Sequence, residues 1–296
     1  MSTLVLLTIT GLGLGAMYFL IASGLSLIYG LMGVLNFAHG AFLTVGAYAS
    51  WWMSVHAFGD VDSILVRFLL GAVCGLAAGG IFAALVELVL IRPLYQRHIE
   101  QVLVTVGLSI ASIALVEGIW GPDTRAYAVP SWLRDTTSIG GANIPNDRFL
   151  EIGAAVVVLV ALHLFLRKTR YGLIIRAGVE NRAMVTALGI DVRKAFTLVF
   201  ALGGIAAAVA GVLTGVYFTT IDPNQGTSLL IFAFIVVVIG GLGSIGGSAA
   251  AAILVALVQQ YVNYYASAGI GDLSVVLLLG LVLLARPRGL AGAFAT

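Results

Sequence analysis

Between Leu4 and Met32 the chain carries no charged side chain. That run alone exceeds the roughly 20 apolar residues that a helix needs to cross about 30 Å of hydrocarbon. Similar runs recur at about 38–56, 64–90, 102–120, 150–166, 196–220, 229–241, 247–265 and 272–285. In lipid the backbone N–H and C=O groups must be satisfied internally, so these runs are expected as helices. Strands would need alternating polarity around a closed barrel, and that alternation is missing. The expectation is an all-α polytopic transmembrane bundle of eight or nine segments, one domain over residues 1–296, with several helices interrupted by glycine. Met1–Thr3 carry no Lys or Arg, so residues 4–30 are expected as a retained span and not as a cleaved signal peptide.

Composition narrows the class further. Only 9% of the 296 residues are charged and 60% are apolar, against roughly 25% and 45–50% in soluble domains. An ordinary soluble enzyme, a disordered segment and a nucleic-acid-binding domain are excluded. The single cysteine, Cys74, leaves no disulfide framework and no cysteine metal cluster.

Most of the 15 basic residues fall in three short stretches: the segment 92–101, the segment 167–195 and the tail with Arg286 and Arg288. Basic loops face the cytoplasm, so all three, and the C-terminus, are expected there. The other charged loops are balanced or acidic and are expected outside. They hold Asp60, Asp62 and Arg67, then Asp123, Arg125, Arg134, Asp135, Asp147 and Arg148, then Asp222.

The segment 167–195 is the most informative. A helix from Arg176 to Leu188 puts Ala177, Met184, Val185 and Leu188 on one face, while Glu180, Asn181 and Arg182 project elsewhere. Gly189 can end that helix in a left-handed cap, and Asp191 can cap the next. Two readings stay open for such a short amphipathic helix: docking into a groove on a cytoplasmic partner, or resting on lipid headgroups through its basic residues. No phosphate-cradling Gly-x-x-x-x-Gly-Lys-[Ser/Thr] motif occurs. Any ATP that drives transport must then be hydrolysed by another polypeptide.

Acidic residues inside spans are costly and suggest function by default. Glu87, five residues before Arg92, can pair with that arginine or reach the interface; Glu117, near Arg125, suits loop bracing. Asn36 and His39 share a helical face and either hold a broken helix together or line a pore. His56, His98 and His163 sit at span ends and suggest nothing sharper. No Ser–His, paired-Asp or His-x-x-x-His constellation supports an intramembrane enzyme. Glycine and polar residues cluster in Gly30–Gly40 and in Gly240–Gly247, one stretch in each half. Broken helices at corresponding places in two halves point to a transport site, and these two are expected to correspond.

With these residues in view, the chain resembles the permeases of branched-chain amino acid ABC transporters, the LivH/LivM type that includes urea permeases. The likeness runs through Leu35-Asn36-Phe37-Ala38-His39-Gly40, Gly46-Ala47-Tyr48, Glu87 to Leu94 and Thr105-Val106-Gly107-Leu108. It continues through Arg176-Ala177, Glu180-Asn181, Ala187 to Ile190, Gly240 to Ile245 and Arg286 to Leu290. It is closer to the LivH side.

The resemblance implies an inner-membrane subunit that binds no cofactor itself. Its expected partners are a second LivM-like permease or a copy of itself, two cytoplasmic ATP-binding subunits, a soluble substrate-binding protein and membrane lipid, with no nucleic acid. It assigns Arg176, Ala177, Glu180, Asn181, Arg182, Leu188 and Gly189 to ATPase coupling. The substrate is expected to be a branched-chain or related amino acid. Asn36, His39 and Ser244 are our candidates for polar groups facing a cavity between the interruptions near 33–46 and 240–248. The rival reading is an ATP-independent channel or ion-coupled carrier for a small polar solute such as urea.

Overall fold

The computed structural model describes residues 2–180, 184–185, 189, 191–267 and 269–291. Every expected apolar run is helical. The first run is α1 (Ser2–Met32), and after a break α2 (His39–Trp52) follows, prolonged by a π-turn over Met53–Ala57. Next comes α3 (Ile64–Val86), which continues through a π-turn at Glu87–Ile91 and a 3-10 turn at Arg92–Leu94. Helix α4 (His98–Trp120) leads into a small cap of strands β1 (Arg125–Ala126), β2 (Thr136–Ile139) and β3 (Ala142–Pro145) around the short helix α5 (Ser131–Arg134). Then come α6 (Asp147–Lys168), α7 (Arg170–Glu180), α8 (Val192–Phe218), strand β4 (Thr220–Ile221), α9 (Gln225–Gly240), α10 (Ile245–Tyr265) and α11 (Ile270–Ala285). Among the described residues six helices are long and apolar enough to cross a membrane, and α9 and α11 are shorter apolar helices.

Small residues decide how these helices meet, because in lipid association depends on close packing and not on a hydrophobic driving force. α1 and α8 run antiparallel through the centre: Gly24 lies against Gly203, and Met17 against Thr214. α1 also meets α10 through Gly11 and Gly15, facing Leu257 and the Ala252–Ala256 stripe. α8 meets α3 in the same manner, through Gly204 and Ala208 against Gly79 and Ala83.

Two arrangements of the same kind emerge. A long helix, a short break, a short helix and two more helices form α1–α4; the same order recurs in α8–α11. α1 packs on α9 and α10 as α8 packs on α2 and α3. Since α1 and α8 run in opposite directions, the halves are inverted copies. The short helices cross where Gly40 of α2 meets Gly226 of α9; a Cβ on Gly40 would lie 2.5 Å from the Gly226 carbonyl oxygen. Gly40→Val should therefore cost about 1–3 kcal/mol by overpacking, read as a lower thermal midpoint in detergent; an unchanged midpoint would mean the crossing can open freely.

This arrangement corrects one expectation. The break that corresponds to residues 33–38 is 219–224, since each precedes the short helix of its half. The stretch Gly240–Gly247 corresponds instead to the turn between α2 and α3. Glycine content marked where chain turns occur, and the repeat is set by helix order, which letter frequency does not carry.

The three basic stretches gather at one end of the bundle. There Met32, Tyr95 and Ala177 pack on Val185, Val192 and Phe196, and the 289–291 segment returns to α9, with Leu290 N–H donating to the Ile239 carbonyl at 2.8 Å. The opposite end carries the cap. β1 pairs antiparallel with β4, and β2 with β3 around Gly140 and Gly141, both left-handed. Tyr127 of the cap hydrogen-bonds Ser50 at 2.6 Å, and burial pushes its hydroxyl up to about 12, so it stays neutral.

Candidate functional site

The α1–α2 break is shaped by Asn36. Its Oδ1 accepts from the Ala38 N–H at 3.0 Å, an Asx turn that starts α2. Phe37 packs its ring at a tilt of 35° against Phe234 of α9, ring centroids 5.0 Å apart, while its N–H donates to Thr105 Oγ1 of α4 at 3.3 Å. His39 Nε2 lies 3.1 Å from the Ile21 carbonyl. A carbonyl only accepts, so Nε2 carries the proton in this pairing. Both side chains are fully buried, and each keeps one atom without a hydrogen-bond partner among the described residues: Asn36 Nδ2 and His39 Nδ1. An unmet buried polar atom costs about 1–3 kcal/mol. The break thus combines a bracing role with two polar atoms that the fold does not use.

Ser244 is placed otherwise. Its Oγ accepts from the Gly247 N–H at 3.0 Å and caps α10. It is half-buried in the 241–244 turn, where Gly241 and Gly243 take positive φ. That turn touches α1: a Cβ on Gly30 would lie 2.5 Å from Gly243 Cα. The two interruptions singled out from the sequence are therefore neighbours at the basic end of the bundle.

Glu87 is completely buried and joins three elements. Arg92 donates to its two oxygens at 3.3 and 3.2 Å, Thr197 of α8 donates at 2.7 Å, and the Tyr95 hydroxyl donates as well. The π-turn at 87–91 delivers both Glu87 and Ile91 inward. Glu117 braces a loop, with Asn224 as its hydrogen-bond partner at 3.5 Å across the 219–224 break; Arg125 instead donates to the Trp120 carbonyl.

Helix α7 begins at Arg170, six residues before the expected start at Arg176. Ile175 is fully buried and Arg176 exposed; Ala177 joins the cluster of Val185, Val192 and Phe196. Met184 is exposed while Val185 is buried, so the expected apolar face is divided. Asn181, Arg182 and Leu188 lie outside the described residues, as does the side chain of Glu180. Gly189 has φ +79°, and Asp191 Oδ1 accepts from the Arg193 N–H at 3.0 Å to cap α8.

A second charged cluster went unread in the sequence. Asp147 and Arg148 were expected in an outer loop, and Glu151 was not singled out at all. They open α6, with Asp147 and Glu151 buried and Arg148 half-buried against Gly13 of α1. Arg148 Nη1 lies 3.2 Å from Glu151 Oε1 and 3.5 Å from Asp147 Oδ2, and its guanidinium carbon stands 3.5 Å from the Tyr217 ring centroid of α8. Gly13 makes room: a Cβ there would fall 2.7 Å from Arg148 Cδ. The i, i+3 spacing of Arg148 and Glu151 was the available signal.

An inverted pair of helical repeats, each broken between its first two helices, with basic segments at one end and ion pairs buried between helices, is the build of a multi-pass membrane transport protein. The profile of the family described as branched-chain amino acid transport system / permease component matches residues 7–286, and the chain belongs to that family. It is similar to the high-affinity branched-chain amino acid transport system permease protein LivH of Salmonella typhimurium, with 30% identity over 95% of this chain and 93% of that one. It is equally similar to the permease protein BraD of Pseudomonas aeruginosa, 30% identical over 96% and 94%. The fructose import permease protein FruF of Bifidobacterium longum is 26% identical over 85% of this chain and 69% of its own. No solved structure matches the chain significantly. A transport role, and not catalysis, follows from the family.

Proposed function

We propose that this chain is the membrane-spanning permease subunit of an ABC importer that carries a branched-chain or related amino acid across the inner membrane. The observation that carries the reading is the near end-to-end likeness to permeases such as LivH and BraD. One ATP-binding subunit docks on the segment 167–195 and a second on the partner permease, a soluble protein delivers the substrate, and that second permease, LivM-like or a copy of this chain, completes the path. The chain itself binds no cofactor; its partners use the ATP. The end of the bundle with the basic stretches, including the C-terminus, faces the cytoplasm, in keeping with the positive-inside rule.

The coupling path is short. Arg176, Ala177, Glu180, Asn181, Arg182, Leu188 and Gly189 receive the ATPase, and Asp191 passes the motion directly into α8. Thr197 on the second turn of α8 is bonded to Glu87, so α3 moves with α8. Because α8 is paired with α1, rocking of one half against the other shifts the α1–α2 break with its Asn36 and His39, and the turn holding Ser244. Those three residues are our proposal for polar groups on the substrate path, where backbone N–H groups at a broken helix end suit a carboxylate.

Deleting residues 178–186, or Glu180→Lys, should abolish co-purification of the ATP-binding subunits while membrane insertion stays normal. Normal co-purification would refute the docking role. Uptake by this chain alone in proteoliposomes without ATP would overturn the importer reading in favour of a channel or ion-coupled carrier.

A further inference from the structure

At the end of the bundle that carries α7, the side chains of His163, Arg167 and Arg176 surround a cavity of ≈ 350 Å³ that Gly243, Ile245 and Gly246 also line. Two guanidinium groups share this space, and neither forms an ion pair among the described residues. The N–H groups of Ile245 and Gly246 belong to the first turn of α10, where no helical acceptor exists for them. Donors and positive charge thus converge on one volume, and nothing described in the protein supplies the acceptor.

A second space lies on the other side of Leu159. Between α1, α6 and α10 lies an apolar groove of ≈ 120 Å³ lined by Gly15, Ala16, Ala155, Val156 and Ala249, and Leu159 lines both spaces. Small residues from three helices keep it open. On the same helix Val156, Val160 and Leu164 are 53, 48 and 49% exposed, so α6 presents apolar surface to the hydrocarbon beside the groove. A charged cavity at the membrane edge, next to an apolar slot that runs along a lipid-exposed helix, has the polarity profile of one amphiphile lying along the bundle.

We propose that this is a binding site for an anionic phospholipid: its headgroup phosphate lies between Arg167, Arg176 and the first turn of α10, and an acyl chain fills the groove. Basic pockets between transmembrane helices hold such headgroups, and phosphate suits a helix N-terminus. A free anion would leave the apolar groove unused, and an acidic side chain from a partner protein would not reach it. The lipid would join α6 and α7 to the 241–244 turn, the stretch that touches Gly30 of α1. Assignment to the cytoplasmic leaflet rests on the orientation proposed above; binding itself does not.

The test is native mass spectrometry of the full chain in detergent, titrated with dioleoyl phosphatidylglycerol and, separately, dioleoyl phosphatidylcholine. The wild type should retain phosphatidylglycerol at lower lipid concentration than phosphatidylcholine. Arg167→Gln should weaken phosphatidylglycerol binding about fivefold and Arg167→Gln with Arg176→Gln about twentyfold, with phosphatidylcholine unaffected. Ala249→Phe, which fills the groove, should weaken both lipids. Unchanged thermal midpoints of the charge variants, whose side chains are exposed, show that they fold. Equal retention of the two lipids, charge variants that bind like wild type, or inorganic phosphate displacing the phosphatidylglycerol at equal concentration would overturn the proposal. The measurement in detergent is blind to sidedness and to ATPases, so its failure is distinct from a failure of the importer reading, which the co-purification test decides.

Discussion

Replacing Glu87 with alanine is expected to destabilise the folded chain by about 3–5 kcal/mol, the cost of breaking a buried ion pair by removing one partner. The carboxylate is fully buried, and its loss strips an acceptor from Arg92, from Thr197 at 2.7 Å and from Tyr95. Three elements, the end of α3, the 92–95 turn and the start of α8, lose their common tie. The surface pair Arg97–Glu100 is the control: at 3.5 Å but 67% and 48% exposed, it is expected to contribute no more than about 1 kcal/mol. Loss of the helical circular-dichroism signal on heating in detergent gives the unfolding midpoint. A Glu87→Ala midpoint no lower than that of Glu100→Ala would show that the node contributes nothing special.

Arg148→Leu should have an effect of the same size, about 3–5 kcal/mol. The guanidinium pairs with two buried carboxyl groups, Asp147 and Glu151, and lies on the face of Tyr217. Without it the two acids face each other inside α6, and the contact with α1 at Gly13 loses its filling. The double variant Arg148→Leu with Glu151→Leu should recover part of the loss, since an apolar pair can replace a buried ion pair nearly neutrally. The same thermal melts measure both. A double variant less stable than the single would show that the ion pair is not what α6 needs there.

Much of this molecule is legible along the chain. Each apolar run became a helix, because hydrocarbon offers the backbone no other partner than itself. Gly189 with its positive φ, the Asp191 cap and the approach of Arg92 to Glu87 were also readable, since each depends on residues within a few positions of one another. The collection of basic stretches at one end follows from the alternation of crossings. Candidate pathway residues were found only as residue types: Asn36 and His39 were visible as polar groups in a glycine-rich break, but their hydrogen bonds to Ala38 and Ile21 were not.

What the tertiary structure alone decided is who meets whom across long separations. Thr197 closing on Glu87, Asn224 replacing Arg125 as the partner of Glu117, and Asp147 with Arg148 turning inward all depend on helices that are distant in sequence. The pairing of the 33–38 break with 219–224, and the crossing of Gly40 over Gly226, depend on the inverted relation of the two halves. Most spans are apolar on nearly every side because lipid and protein interior demand the same side chains, so hydropathy says that a helix is in the membrane and seldom which face it buries; α4 is the exception, its buried face carrying Gln101, Thr105, Ser109 and Ser112. Contact in such a medium is chosen by steric fit between small residues, and fit exists only once two surfaces have been brought together.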